Sequence, residues 1–185
     1  MNRYVIGILA FLGLAIVLIV LLLTGGGHKT PTPTPAPLPS YANTDAFVQL
    51  FIDGPIVAPE DHNALSITVS QYSASFALYQ GYQGNVVGYK IYNNDENSFK
   101  NFLAALYYAG FMDGRKVQYS SNIGLCATGD KYDLYLNYDG QTIEHYWTTS
   151  CSNILSSYTG NMPATLNLFN AQIPDLQTLT QNTNF

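Results

Sequence analysis

Three kinds of hydrophobic patterning succeed one another along the chain. From Tyr4 to Leu23 no residue is charged and only Gly7 and Gly13 interrupt the apolar run; a helix of about 20 such residues spans the hydrocarbon core of a bilayer. The run is longer than the roughly 7–15 apolar residues of a cleaved signal peptide. It ends in Thr24-Gly25-Gly26-Gly27 without an Ala-x-Ala-like site, which predicts an uncleaved single-pass anchor. Thr30 to Ser40 then reads TPTPTPAPLPS. Its alternating prolines exclude helix and sheet and favour polyproline II, which at about 3.1 Å per residue makes a stalk of about 30 Å. The expected organisation is an anchor over residues 1–29, a Thr/Pro-rich linker over 30–44 and an extracytoplasmic domain over 45–185.

Within that domain the patterning alternates. Leu65, Ile67 and Val69 interleave with Ser66, Thr68 and Ser70, the period of a half-buried strand. Phe76 and Leu78 continue it, and Val87, Tyr89 and Ile91 repeat it after Gly81-Tyr-Gln-Gly84-Asn85, predicting a hairpin with an extended loop. The period then changes. Asn93-Asn94-Asp95-Glu96 supplies cap residues, Phe99, Phe102, Leu103, Leu106 and Tyr107 form one helical stripe, and Gly110 stands where a left-handed residue ends the helix. Asp139-Gly140 lies between two alternating segments and predicts a type I′ turn. With a regular ladder from that turn, Leu136 faces Ile143, Leu134 faces His145 and Tyr132 faces Trp147, while Tyr135, Glu144 and Tyr146 share the outer face. Pro163 opens a last helix carrying Leu166, Phe169 and Ile173, with Pro174 to stop it. Strands and helices in this order predict an α+β fold in which an antiparallel sheet packs on two helices.

Composition narrows the class of function. Only 10% of residues are charged, and the formal net charge is −5, so the attraction to phosphate that carries non-specific nucleic-acid binding is missing. All twelve acids lie beyond residue 40, yet the domain remains poor in charge, and its surface must be built from Asn, Ser, Thr, Gln and Tyr. The two cysteines, Cys126 and Cys151, flank the second hairpin and predict a disulfide closing its base, worth roughly 3.5 kcal/mol by loop-closure arithmetic for about 25 residues. A bridge favours an oxidising compartment. With the Thr/Pro stalk it places the N-terminus in the cytoplasm and the domain outside.

Candidate chemistry is sparse. Glu60-Asp61-His62 offers three possible ligands in a row, but neighbours in an extended segment point in different directions, so a solvated loop is expected and no metal site. Asn93 to Asn97 lacks the calcium-loop pattern, and Gly81-x-x-Gly84 is followed by no GK[ST]. His145 reads as a hydrogen-bonded core or edge residue. No cofactor and no catalytic residue is expected. Fifteen tyrosines are the one surplus; sheet packing accounts for most, while Tyr135, Tyr146 and Tyr82 are the candidates for a contact surface.

Ile67-Thr-Val-Ser70, Gly81-Tyr82, Tyr92-Asn93-Asn94, the helix through Ala105-Leu106 to Gly110-Phe111, Gly124-Leu-Cys126-Ala-Thr-Gly129, Trp147-Thr-Thr-Ser-Cys151 and Gln172-Ile173-Pro174-Asp175 together resemble a family of short, single-anchor surface proteins of Saccharibacteria-type candidate-phylum bacteria. The resemblance implies the anchor, stalk and domain layout and a bacterial envelope, and it carries no activity. The expected function is a membrane-anchored binding domain with a protein or glycan partner outside the cell. The alternatives are a small envelope hydrolase and a self-assembling structural protein.

Overall fold

The computed structural model describes residues 35–181 and 183. The apolar segment Tyr4–Leu23 and the Thr/Pro run up to Thr34 lie outside the described residues. Among the described residues no helix is long and apolar enough to cross a membrane.

Six strands form one antiparallel sheet: β1 (Phe47–Asp53), β2 (Asn63–Ser70), β3 (Ser73–Gln80), β4 (Asn85–Asn93), β5 (Lys131–Tyr138) and β6 (Gln141–Thr149). Their spatial order is β4-β3-β2-β1-β5-β6, so β1 is central and pairs with both β2 and β5. The α1 helix (Glu96–Tyr108) connects the two halves of the sheet, and α2 (Met162–Asn170) and the short α3 (Leu176–Leu179) follow β6. This is the α+β class with an antiparallel sheet.

Alternation along the strands divides the sheet into two unlike faces. One carries Val48, Leu50, Leu65, Ile67, Val69, Phe76, Leu134 and Leu136, all buried, and packs on Phe99, Phe102, Leu103 and Leu106 of α1 and Phe169 of α2. Leu38 and Tyr41, on a 3₁₀ turn (Leu38–Tyr41), and Ala42 join this core. The packed domain therefore begins ahead of residue 45. The end of the linker predicted over 30–44 folds onto α1 because Leu38, within the proline run, and Tyr41, just after it, are apolar positions. Tyr107, expected in the buried stripe of α1, is exposed.

The ends of α1 follow the sequence closely, whereas α2 ends at Asn170, ahead of Ile173 and Pro174. Asp95 accepts from the Ser98 amide at 2.9 Å, an N-cap contact, and its carboxyl sits below the usual range because it accepts hydrogen bonds from Ser98. At the other end Gly110 has φ +81, its amide donates to Tyr107 and the Phe111 amide donates to Leu106; this is a Schellman closure, with Phe111 and Leu106 buried together. A methyl group on Gly110 would stand 2.7 Å from Asp113 Oδ2 and 3.0 Å from Gly160 Cα. Gly110→Ala should therefore cost at least the roughly 1–2 kcal/mol of a left-handed non-glycine residue, read as a lower urea midpoint at an unchanged m-value.

The second hairpin departs from the expected register. Asp139 (φ 51) and Gly140 (φ 68) form the two-residue turn, and Tyr138 pairs with Gln141 and Asn137 with Thr142, as the turn requires. The register then shifts between Leu136 and Asn137, so Leu136 faces Glu144, Leu134 faces Tyr146 and Tyr135 faces His145. One extra residue on β6 sends every later side chain to the opposite face. Tyr135 and Tyr146 accordingly lie on opposite faces, and His145 leaves the apolar face on which it was expected.

Candidate functional site

Among the described residues no helix packs on the second sheet face. Across it the register aligns Tyr135, Gln49, Thr68, Ser75 and Ile91 in one row, Asp133, Phe51, Ser66, Ala77 and Tyr89 in the next, and Lys131, Asp53, Ala64, Tyr79 and Val86 in a third. Thr68, Ser66 and Ala64 on β2 and Ser75 and Ala77 on β3 are small, and Phe51, Tyr79, Tyr89 and Tyr135 are the aromatic positions. On this face Ala64, Ser66, Ala77, Lys131 and Asp133 are buried among their neighbours, Gln49, Phe51, Thr68, Ser75, Tyr79 and Tyr135 are partly exposed, and the β4 positions are exposed. Val87, Tyr89 and Ile91, which the alternation of β4 offered as half-buried, are exposed, because β4 is the edge strand and none of the described residues forms a layer over them.

At the end of β1 this face carries a polar cluster. Asp53 and Lys131 are direct register partners. Lys131 is buried, and its Nζ lies 3.0 Å from Asp53 Oδ2 and donates to the Gly54 carbonyl at 2.7 Å. His62, just ahead of β2, places Nε2 3.0 Å from Asp53 Oδ1 and Nδ1 3.1 Å from the Pro55 carbonyl. His62 is only 3% exposed, which corrects the reading of Glu60-Asp61-His62 as a solvated loop. Glu60 and Asp61 are exposed, but the histidine turns inward to the carboxylate. Among the described residues no group of His, Cys, Asp and Glu is placed to hold a metal ion.

Tyr82 lies over this cluster. Its ring stacks on His62 with centroids 4.0 Å apart and an interplanar angle of 16°. Its hydroxyl donates to the Val57 carbonyl at 2.7 Å and accepts from the Val57 amide at 3.0 Å. Half the residue is nevertheless exposed. Gln49, Phe51, Asp53, His62, Tyr79 and Tyr82 line a depression of about 510 Å³.

A similar arrangement stands on β5 and β6. Tyr135 stacks on His145 at 4.4 Å and 3°, His145 Nε2 lies 2.7 Å from Asp133 Oδ1, and Asn122 donates to Asp133 Oδ2 at 2.8 Å. Each histidine thus supports a tyrosine and is itself held by a carboxylate. Of the three candidate contact tyrosines, Tyr82 and Tyr135 border the open face. Tyr146 does not: it packs against the core on the helix side, under Gly114, and donates to the Met112 carbonyl at 3.2 Å. The pairing of Asp53, His62 and Lys131 spans three separate segments: the β1–β5 register accounts for Asp53 with Lys131, and no register signals His62.

Cys126 and Cys151 form a disulfide with Cα atoms 5.8 Å apart. Both lie outside the strands. Gly129 is pressed against both sulfurs and Ser150. In the same loop the Ala127 carbonyl accepts from the Ile56 amide at 2.8 Å, so the bridged segment supports the strand of chain that clamps Tyr82 through Val57.

Burial pushes several phenols upward. Tyr132 is raised to about 12, first by burial and then by Asp130; Tyr135 is raised by burial and Asp133, Tyr146 by burial and Glu144, and Tyr158 by burial. In the unfolded chain these groups ionise near 10. The folded protein therefore holds their protons to higher pH, and the stability linked to them is present below about pH 10 and disappears as pH rises toward 12. The urea midpoint should hold steady up to about pH 9.5 and then fall, less steeply in Tyr132→Phe. A midpoint that is flat to pH 12 would contradict this burial.

The chain matches no protein-family model, and no curated protein matches it.

Proposed function

We propose that the chain is a single-pass membrane protein of a bacterial envelope, similar to the small surface proteins of Saccharibacteria-type bacteria. Residues 4–23 anchor it with the N-terminus in the cytoplasm, the Thr/Pro run ahead of Leu38 forms a stalk, and the α+β domain binds a partner outside the membrane. One observation carries the binding role: the sheet face left uncovered by helices holds Tyr82 and Tyr135 rigidly, each ring backed by an imidazole tied to a carboxylate. Fixing an accessible aromatic ring costs side-chain entropy, and that cost is offset when a partner meets a preorganised surface. The disulfide supports an oxidising compartment. The apolar run and the scarcity of charge support an anchored domain that recognises its partner through hydrogen bonds and aromatic contact more than through charge.

Self-assembly is a second reading, favoured by edge strand β4, where Val86, Val87, Tyr89 and Ile91 are all exposed. Unprotected apolar edges are templates for pairing with another strand.

Photo-crosslinking in the native membrane separates these readings. With a benzoylphenylalanine at Tyr135 on the open face, the full chain should form adducts with other molecules, whereas the same residue at Tyr108, exposed on the helix side, should form none. Adducts only to a second copy of the chain favour self-assembly. Absence of adducts at Tyr135, or equal yield from both positions, would sink the open face as the working surface.

A further inference from the structure

We infer that the depression beside Tyr82 is a saccharide site, taking a neutral, hydroxyl-rich oligosaccharide. The inference rests on the binding-domain reading and names the ligand of its open face.

Tyr82 is built as a platform. The rear of its ring is occupied by His62 at 4.0 Å, and its hydroxyl already donates to one backbone group of Val57 and accepts from another. What remains available is a flat apolar plane, half exposed and unable to turn. A protein partner would use the tyrosine hydroxyl as well as the ring; here the hydroxyl is engaged and only the plane is offered. That suits the C–H face of a pyranose ring. The neighbouring depression of about 510 Å³ falls within the range of small-molecule sites. A second one, of about 470 Å³, is also bordered by Tyr82, together with Pro59, Glu60, Gln83 and Asn85, so a ligand of more than one sugar ring has room on the same tyrosine.

The polar groups fit hydroxyls better than ions. Asp53 meets His62 with one oxygen and Lys131 with the other, and each oxygen keeps acceptor capacity for a further hydrogen bond. Gln49, on the same row as Thr68 and Tyr135, lines the depression with an amide that both donates and accepts. Sugar hydroxyls do both as well. An anionic ligand would meet the Asp53 carboxylate, and the residues lining the depression include no Lys or Arg. A cationic ligand would have to reach Asp53 against the positive charge of Lys131.

The test uses the full chain in detergent micelles, with cellotetraose, chitotetraose and mannotetraose as probes, read by saturation-transfer NMR and calorimetry. At least one probe should bind. Tyr82→Ala should weaken it roughly tenfold or more, as expected for loss of a central aromatic contact, Tyr82→Phe should keep the ring contact, and Tyr108→Ala should bind as the parent does. Thermal melts of each variant separate lost binding from lost folding. Binding by none of the three probes, or binding indifferent to Tyr82→Ala in a folded variant, would overturn the saccharide site. Adducts at Tyr135 in the membrane would still stand in that case, so the ligand class and the open-face reading fail separately.

Discussion

Replacing Cys126 and Cys151 together by serine should lower stability by about 3.5 kcal/mol, the loop-closure entropy returned to an unfolded chain when about 25 residues are no longer bridged. At this size the melting temperature should fall by about 7–14 °C. The effect should extend beyond the hairpin. Ala127 lies next to Cys126 and accepts from the Ile56 amide, and the adjoining Val57 holds the Tyr82 hydroxyl. Opening the bridge should therefore speed amide exchange at Ile56 and Val57 as well as around residue 150. A reducing agent should reproduce the change in the parent protein and leave the double variant unaffected. An unchanged melting temperature in the variant would mean that the bridge contributes nothing to the fold.

Asp53→Ala should be nearly as damaging. It removes the carboxylate from between two buried partners, leaving Lys131 with only the Gly54 carbonyl and His62 with only Pro55. Breaking a fully buried pair costs about 3–5 kcal/mol. Asp53 is about a third exposed, so water offsets part of this, and about 2–3 kcal/mol is expected. Much of that loss is the penalty of an uncompensated Lys131, so Asp53→Ala combined with Lys131→Met should be more stable than Asp53→Ala alone. Urea unfolding of the two single variants and the double variant measures the coupling. Strict additivity would show that the contact contributes no net energy.

Local signals in the sequence predicted what local interactions determine. The α1 helix shows its cap at Asp95, its stripe from Phe99 to Leu106 and its stop at Gly110, because each depends on residues within one or two turns. The Asp139-Gly140 turn is equally local. The central strand β1 is much less visible: Phe47, Val48, Leu50, Phe51 and Ile52 are all apolar, so its alternation is masked by a solvated face that is itself aromatic. The bulge on β6 leaves no local mark, yet it decides that His145 joins Tyr135 on the open face and that Tyr146 joins the core. Likewise nothing around His62 shows that it turns inward. Its partners lie at Asp53 and Pro55 in one segment and at Tyr82 in another, and they meet only once β1, β2 and the β3–β4 loop are assembled. Tyr82 could be singled out by residue type, whereas the cluster that makes it rigid could not.

The proposed topology displays the domain on the far side of a membrane from its N-terminus. Lys100 and Lys116 are exposed in the domain, which makes them reporters for a membrane-impermeant amine reagent. In intact spheroplasts, whose outer layers have been removed, tryptic peptides containing these lysines should be labelled without lysis. Labelling of both lysines only after the membrane is broken would contradict this topology.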